Sequence, residues 1–249
     1  MTLRRPQWIE ATSRLGAWPG WKRGLLRPFA LPATVRRDSA GVNPGGQCTM
    51  DIQRISLDGD WLLACAPEGR FPIAGPDDLD AAGLAAIPAR VPGNVELDLV
   101  RAGRLPEPFY ADHIHRLRAL EFNEWWYARD IALPEVHTPN SLGWDLVFAG
   151  LDALATVWVN GVEVGRADNA LIPHRFDVTH VLRPGVNRIA VRLGSAVNAA
   201  RQFHYDASLM SWEHREEGLF IRKAPHVWGW DIMPRAVSAG IWRSVWLEP

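Results

Sequence analysis

The stretch Ala155-Thr-Val-Trp-Val159, Asn160-Gly161, Val162-Glu-Val-Gly-Arg166 decides the fold. Two runs rich in β-branched and apolar residues flank an Asn-Gly pair. That pair supplies the two positive-φ positions of a type I′ turn, so the segment reads as a tight β-hairpin. Working outward, strand signals recur at turn-punctuated intervals. Trp61–Cys65, Trp125–Leu133 and Asp145–Ala149 precede the hairpin; Arg175–Val178, Asn187–Leu193 and Ile241–Leu247 follow it. The last two alternate apolar with polar residues, as strands with one wet face do. Helical signals are few: Leu79–Ile87, and Glu96–Ala102 with Asn94 as cap and Gly103 as stop. Many short strands with little helix predict an all-β jelly-roll sandwich carrying one or two short helices.

The first 49 residues differ. They hold 8 Lys/Arg against 2 Asp/Glu, leaving 19 against 26 in the remainder of a 249-residue chain of net charge −1. They are rich in Pro and Gly and lack a sustained period, so they read as a disordered basic leader, with one domain over residues 50–249. Met50 opens the patterned sequence and is an alternative start; a basic transit or interaction arm is the functional alternative. The overall charge excludes a dedicated nucleic-acid binder, which needs a basic face. Cys48 and Cys65 make neither a disulfide framework nor a metal-ligand spacing. No apolar run has the length of a membrane span, and the run near the start is broken by Arg27, Pro28 and Pro32, unlike a secretory segment. These features predict a cytoplasmic protein without metal or cofactor.

Thirteen tryptophans are a heavy load, and ten of them follow Met50. Trp61, Trp126, Trp158 and Trp246 fall on strands and read as core. Trp228-Gly-Trp-Asp231 is different: two rings flank a glycine, an acid follows, and Pro234 prevents a regular strand from continuing. Such a segment suits a loop that presents rings and a carboxylate to a sugar, whose C–H faces stack on indoles while polar groups read its hydroxyls. His113-x-His115 on a strand face lacks a third ligand nearby and reads as surface.

The segment Ile221–Arg235 followed by Ser238–Arg243 resembles a signature of the glycoside hydrolase family 2 sugar-binding domain, closest to its β-mannosidase-like branch. Val91–Leu99, Glu124–Arg129 and Gly150–Gly161 with Asp168-Asn169 and Arg175–Val178 resemble that family's other stretches, in the same order, over residues 53–249. The resemblance implies a galactose-binding-like jelly roll that in the family precedes an immunoglobulin-like sandwich and a catalytic barrel, neither of which this stretch contains. It implies Asp231 as acceptor for sugar hydroxyls and Trp230 as wall, with Trp228, His226 and Asn123 as further substrate-binding candidates and Arg222 and Lys223 as braces. Where the branch continues Trp-Asp-Trp-Gly-Pro, this chain has Trp230-Asp-Ile-Met-Pro234, which removes one aromatic element and leaves the sugar open.

Retaining hydrolysis needs two carboxyl groups about 5–5.5 Å apart, one as nucleophile and one as acid/base. Asn123-Glu124 imitates the family's catalytic Asn-Glu pair, but it opens the paired-Trp strand instead of ending a barrel strand, and the Glu213, Glu216 and Glu217 segment reads as solvated. No catalytic residue is therefore assigned. No G-x-S-x-G elbow supports a serine hydrolase. The expected function is a non-catalytic sugar-binding domain of a family 2 glycosidase, with a β-linked sugar or oligosaccharide as partner. The alternatives are a free-standing carbohydrate-binding module and a partner that complements a separately encoded barrel through an apolar docking patch.

Overall fold

The computed structural model describes residues 54–79, 81–133, 143–206, 208–209 and 216–249. The basic leader with Cys48, Met50 and Glu213 lies outside them. Among the described residues, ten strands form two antiparallel sheets facing each other as a sandwich. In chain order they are β1 (Ile55–Ser56), β2 (Gly59–Pro67), β3 (Ile87–Val91), β4 (Asn123–Leu133), β5 (Asp145–Phe148), β6 (Ala155–Val159), β7 (Val162–Ala167), β8 (His174–Asp177), β9 (Gly185–Leu193) and β10 (Val245–Glu248). One sheet runs β1-β10-β5-β8 and the other β3-β2-β4-β9-β6-β7. Among the described residues, two short α-helices, α1 (Val95–Arg101) and α2 (Ala196–Ala200), and a few 3-10 turns accompany the strands.

The β6–β7 hairpin forms as its sequence dictates. Asn160 and Gly161 take φ of 53° and 83°, and Val159 pairs with Val162 across them. The Asn160 side chain also ties the turn to its surroundings. Its amide donates to the Val181 carbonyl (2.7 Å) and to Asn187 Oδ1 (2.8 Å), and its oxygen accepts from the Arg188 amide (3.0 Å).

The core lies between the sheets, where alternate residues point inward. Trp61 and Leu63 of β2, Trp125 and Tyr127 of β4, Val157 and Val159 of β6 and Ile189 and Val191 of β9 meet Leu146, Phe148, Val245 and Leu247 from the smaller sheet. The larger sheet is covered on its other face as well. Trp126 stacks on Trp158 there (ring centroids 5.3 Å apart, planes 26° apart) under Leu79 and Ala86 of the β2–β3 connection. That double burial explains why β4 reads as a nearly continuous apolar run.

Three expectations need correction. Leu79–Ile87 is not a helix: a 3-10 turn over Pro76–Asp78 is followed by a left-handed Gly83 (φ 64°) and then by β3. The alanine-rich spacing there serves to lay Leu79 and Ala86 on the sheet. The final strand is shorter than Ile241–Leu247, because Ile241 and Ser244 spend their carbonyls on Gly93 and Ala149 (3.0 and 2.9 Å) before β10 begins. His113 and His115 sit in a 3-10 turn over His113–Ala119, so strand alternation does not apply to them. The α1 reading matches closely, with the Asn94 side chain accepting from the Leu97 amide (3.0 Å).

Candidate functional site

The connection from β9 to β10 spans residues 194–244 and builds one end of the sandwich. It leaves β9 through α2, whose Ser195 caps the Asn198 amide (3.0 Å). The apolar side of α2 meets Ala153, Ala170, Ile221 and Trp228 in a small cluster separate from the main core. A 3-10 turn over Pro225–Trp228 then ends at Gly229. Gly229 takes φ 96°, a conformation that L side chains rarely adopt, and a Cβ there would meet the Arg235 backbone.

Beyond Gly229 the chain makes a tight hairpin. The Trp230 amide donates to the Met233 carbonyl (2.9 Å), and the Met233 amide donates back to Trp230. Asp231 at the tip is left-handed (φ 37°), a geometry that Asp tolerates better than most residues. The hairpin presents Trp230 at 61% exposure, Ile232 at 90% and Met233 at 46%, with the Asp231 carboxylate in solvent. Rings, an aliphatic tip and an acid are thus offered on one short projection.

Two charged clamps hold this projection. Arg235 makes a bidentate pair with the buried Glu121 (2.9 and 2.8 Å), reaches Glu217 (3.4 Å) and lies over the Trp228 ring at 5.3 Å. These partners hold the Arg235 guanidinium above its ordinary value despite its burial. In the second clamp, the buried Lys223 ammonium donates to Asp152 and to the Ser238 carbonyl, and Ser238 Oγ donates to Glu96 (2.7 Å). Burial pushes the Glu96 carboxyl up in spite of the Ser238 hydrogen bond, and it pushes Asp152 up in spite of Lys223. Arg222 contributes backbone instead: its carbonyl accepts from the Ala170 amide (2.8 Å).

The structure places the five candidate residues unequally. Trp230 and Asp231 project. His226 is exposed on the preceding turn. Trp228 is buried at 2%, with its indole nitrogen unpartnered among the described residues and its ring packed beneath Arg235 and against Gly218. Asn123 is half-buried at the start of β4 and lines a small recess with Glu121, Asp152, Val237 and Ser238, all close to the same connection. Glu124 is a buried structural anion: Arg192 donates to it at 2.8 Å and the Trp126 indole at 3.3 Å. Glu217, expected in solvent, faces Arg235 and Arg201 (3.6 Å). Sequence reasoning missed Glu121, Arg235, Glu96 and Asp152. Their partners lie up to 142 positions away, and no local spacing signals such pairs.

Comparison with known proteins adds a family. The model described as glycosyl hydrolase 2 galactose-binding domain-like matches residues 76–243. Beta-mannosidase B of Thermothelomyces thermophilus is 33% identical over 163 residues, covering 64% of this chain and 19% of that protein. Beta-mannosidase of Bos taurus is 32% identical over 208 residues, covering 79% and 22%. The crystal structure of a beta-D-mannosidase from Dictyoglomus thermophilum superposes with a TM-score of 0.66 at 29% identity, over 78% of this chain and 22% of that one. The chain therefore spans about a fifth of the length of the relatives it matches.

Proposed function

The chain belongs to the glycosyl hydrolase 2 galactose-binding domain-like family, on its β-mannosidase-like branch, and from that premise we propose that it is the sugar-facing, non-catalytic sandwich of a β-glycoside hydrolase. The observation that carries this reading is the Trp230–Met233 hairpin. It is an acid and an indole held out from the sandwich end by two buried charged clamps. Asp231 accepts hydrogen bonds from sugar hydroxyls and Trp230 walls the ring; Asn123 supplies a further polar contact and His226 flanks the approach. Trp228 acts from below, by seating Arg235 and the turn.

The hydrolytic pair comes from elsewhere in the hydrolase. Glu121, Glu124, Asp152 and Glu217 at this end all accept from cations, so none is poised as an acid/base partner. Ile232, almost wholly exposed in place of a second indole, makes an apolar tip that fits covering by a catalytic partner better than a self-contained pocket. Half of an interdomain site binds free sugar weakly, because ligand contacts are shared between its two sides.

Hydrolysis of p-nitrophenyl β-mannoside, galactoside, glucuronide and glucoside by the purified chain tests the reading. The expected result is no turnover above the buffer blank. Turnover that disappears in Glu124→Gln makes that buried acid catalytic and sinks the proposal. Addition of a family 2 catalytic barrel as a separate chain restores turnover, and Asp231→Asn in that complex raises KM.

A further inference from the structure

A groove of about 540 Å³ opens beside α2, away from the Trp230 hairpin. Thr156 of β6 and Arg192 of β9 are register partners in its floor. Their neighbours Val157 and Val191 enter the core, so Thr156 and Arg192 face the opposite side of the sheet. Arg166 and Asp168 close the groove at the end of β7, Glu68 at the end of β2, and Gln202 just past α2. No residue of the 225–235 segment lines it.

We propose that this groove is a second ligand site, for a neutral hydroxyl-rich molecule of mono- or disaccharide size. The proposal does not rest on the reading of the Trp230 hairpin. The cations here are already spent on carboxylates. The Glu68 carboxylate accepts from Arg192 (3.1 Å), the Ser195 amide (3.1 Å) and the Asn198 side chain (2.9 Å). Arg192 also serves Glu124, and Arg166 is bidentate on Glu163 (2.7 and 3.2 Å). Each guanidinium already carries a carboxylate, which disfavours an added anion. Among the described residues no three His, Cys, Asp or Glu gather to hold a metal ion. What remains is a hydroxyl, a carboxylate and an amide. The side chains of Thr156, Asp168 and Gln202 line the groove and take no hydrogen bond from any described residue. Together they offer donors and acceptors that match neighbouring sugar hydroxyls. Leu154 and Ala199 supply apolar wall for the C–H face. The volume falls within the ordinary range for small-molecule sites. This groove reads hydroxyls with three side chains from separate elements, whereas the hairpin offers a ring and one acid.

Calorimetric titration of the whole chain with β-1,4-mannobiose and with cellobiose tests the assignment. The expected result is saturable binding of at least one disaccharide. It should weaken about tenfold in Asp168→Ala/Gln202→Ala, since each lost hydrogen bond contributes a few-fold. Thr156→Val, which keeps the β-branched shape, weakens it by a smaller factor. Asp231→Asn leaves this binding unchanged, and inorganic phosphate does not compete. Absence of disaccharide binding overturns the proposal. So does binding that ignores both groove variants, and so does competition by phosphate. Binding lost only in Asp231→Asn assigns the sugar to the hairpin alone.

Discussion

The sandwich body and its site end are stabilised by different means, and the contrast separates what holds the molecule from what it displays. In the body, strands bury indoles and branched aliphatics on both faces of the six-stranded sheet, so order follows from non-directional burial. At the site end, the 194–244 connection has a small apolar cluster of its own. Its shape comes from Arg235–Glu121, from Lys223 donating to both Asp152 and Ser238, and from Ser238 donating to Glu96. Directional ion pairs define a loop geometry without needing much core, but they carry a desolvation cost that apolar packing does not. The projecting hairpin can therefore expose Trp230 and Ile232 while its base stays fixed.

Mutations can break that contrast or sharpen it. The largest expected effect is in the body. Trp126→Ala removes a fully buried ring stacked on Trp158 and should cost about 3–5 kcal/mol in urea unfolding, with general loss of the fold. Next comes Arg235→Met, which removes the bidentate partner of the buried Glu121 and leaves it the more distant Arg118 (3.5 Å). A cost of about 3 kcal/mol is expected, with increased amide exchange confined to 216–240. Uniform loosening of both regions would instead show that the clamp belongs to the body.

The two regions also carry acids of opposite sign. Burial alone raises Glu248, but hydrogen bonds from Trp246 and Arg175 outweigh it and leave the carboxyl below its ordinary value. Its contribution to stability is present above that ordinary value and is lost as pH falls through the lowered one. Burial raises Glu96 at the site end, so its contribution is full at low pH. It fades as pH rises from the ordinary glutamate value through the raised one. Glu96→Gln should therefore flatten the decline of melting temperature as pH rises above the ordinary glutamate value. Glu248→Gln should lose about 1 kcal/mol at neutral pH. The same slope in wild type and Glu96→Gln would contradict the burial argument. The smallest effect belongs to Asp231→Asn, which should change stability by less than about 0.5 kcal/mol because the tip touches solvent.

Legibility in the sequence divides along the same line. The β6–β7 hairpin, α1 with its Asn94 cap and most strands are written in local patterns, because turn chemistry and alternation are local rules. Residues 79–87 misled because their spacing records contact with the outer sheet face, which no single segment reveals. The exposed Trp230–Asp231 pair was legible from its Gly and Pro neighbours. The burial of Trp228 was not: it depends on Arg235, which is anchored by Glu121 from 114 positions earlier.

The stacked Trp126–Trp158 pair has an optical consequence. Two indoles held 5.3 Å apart at a fixed angle couple their transition dipoles. The pair should give the chain a bisignate circular-dichroism band whose amplitude tracks the outer sheet face. Trp230, on the hairpin, should report by emission wavelength as its surroundings dry or wet. One molecule then carries a signal for the integrity of the scaffold in its coupled indole pair and one for events at its tip in Trp230, the latter read against the other twelve tryptophans as the difference from Trp230→Phe.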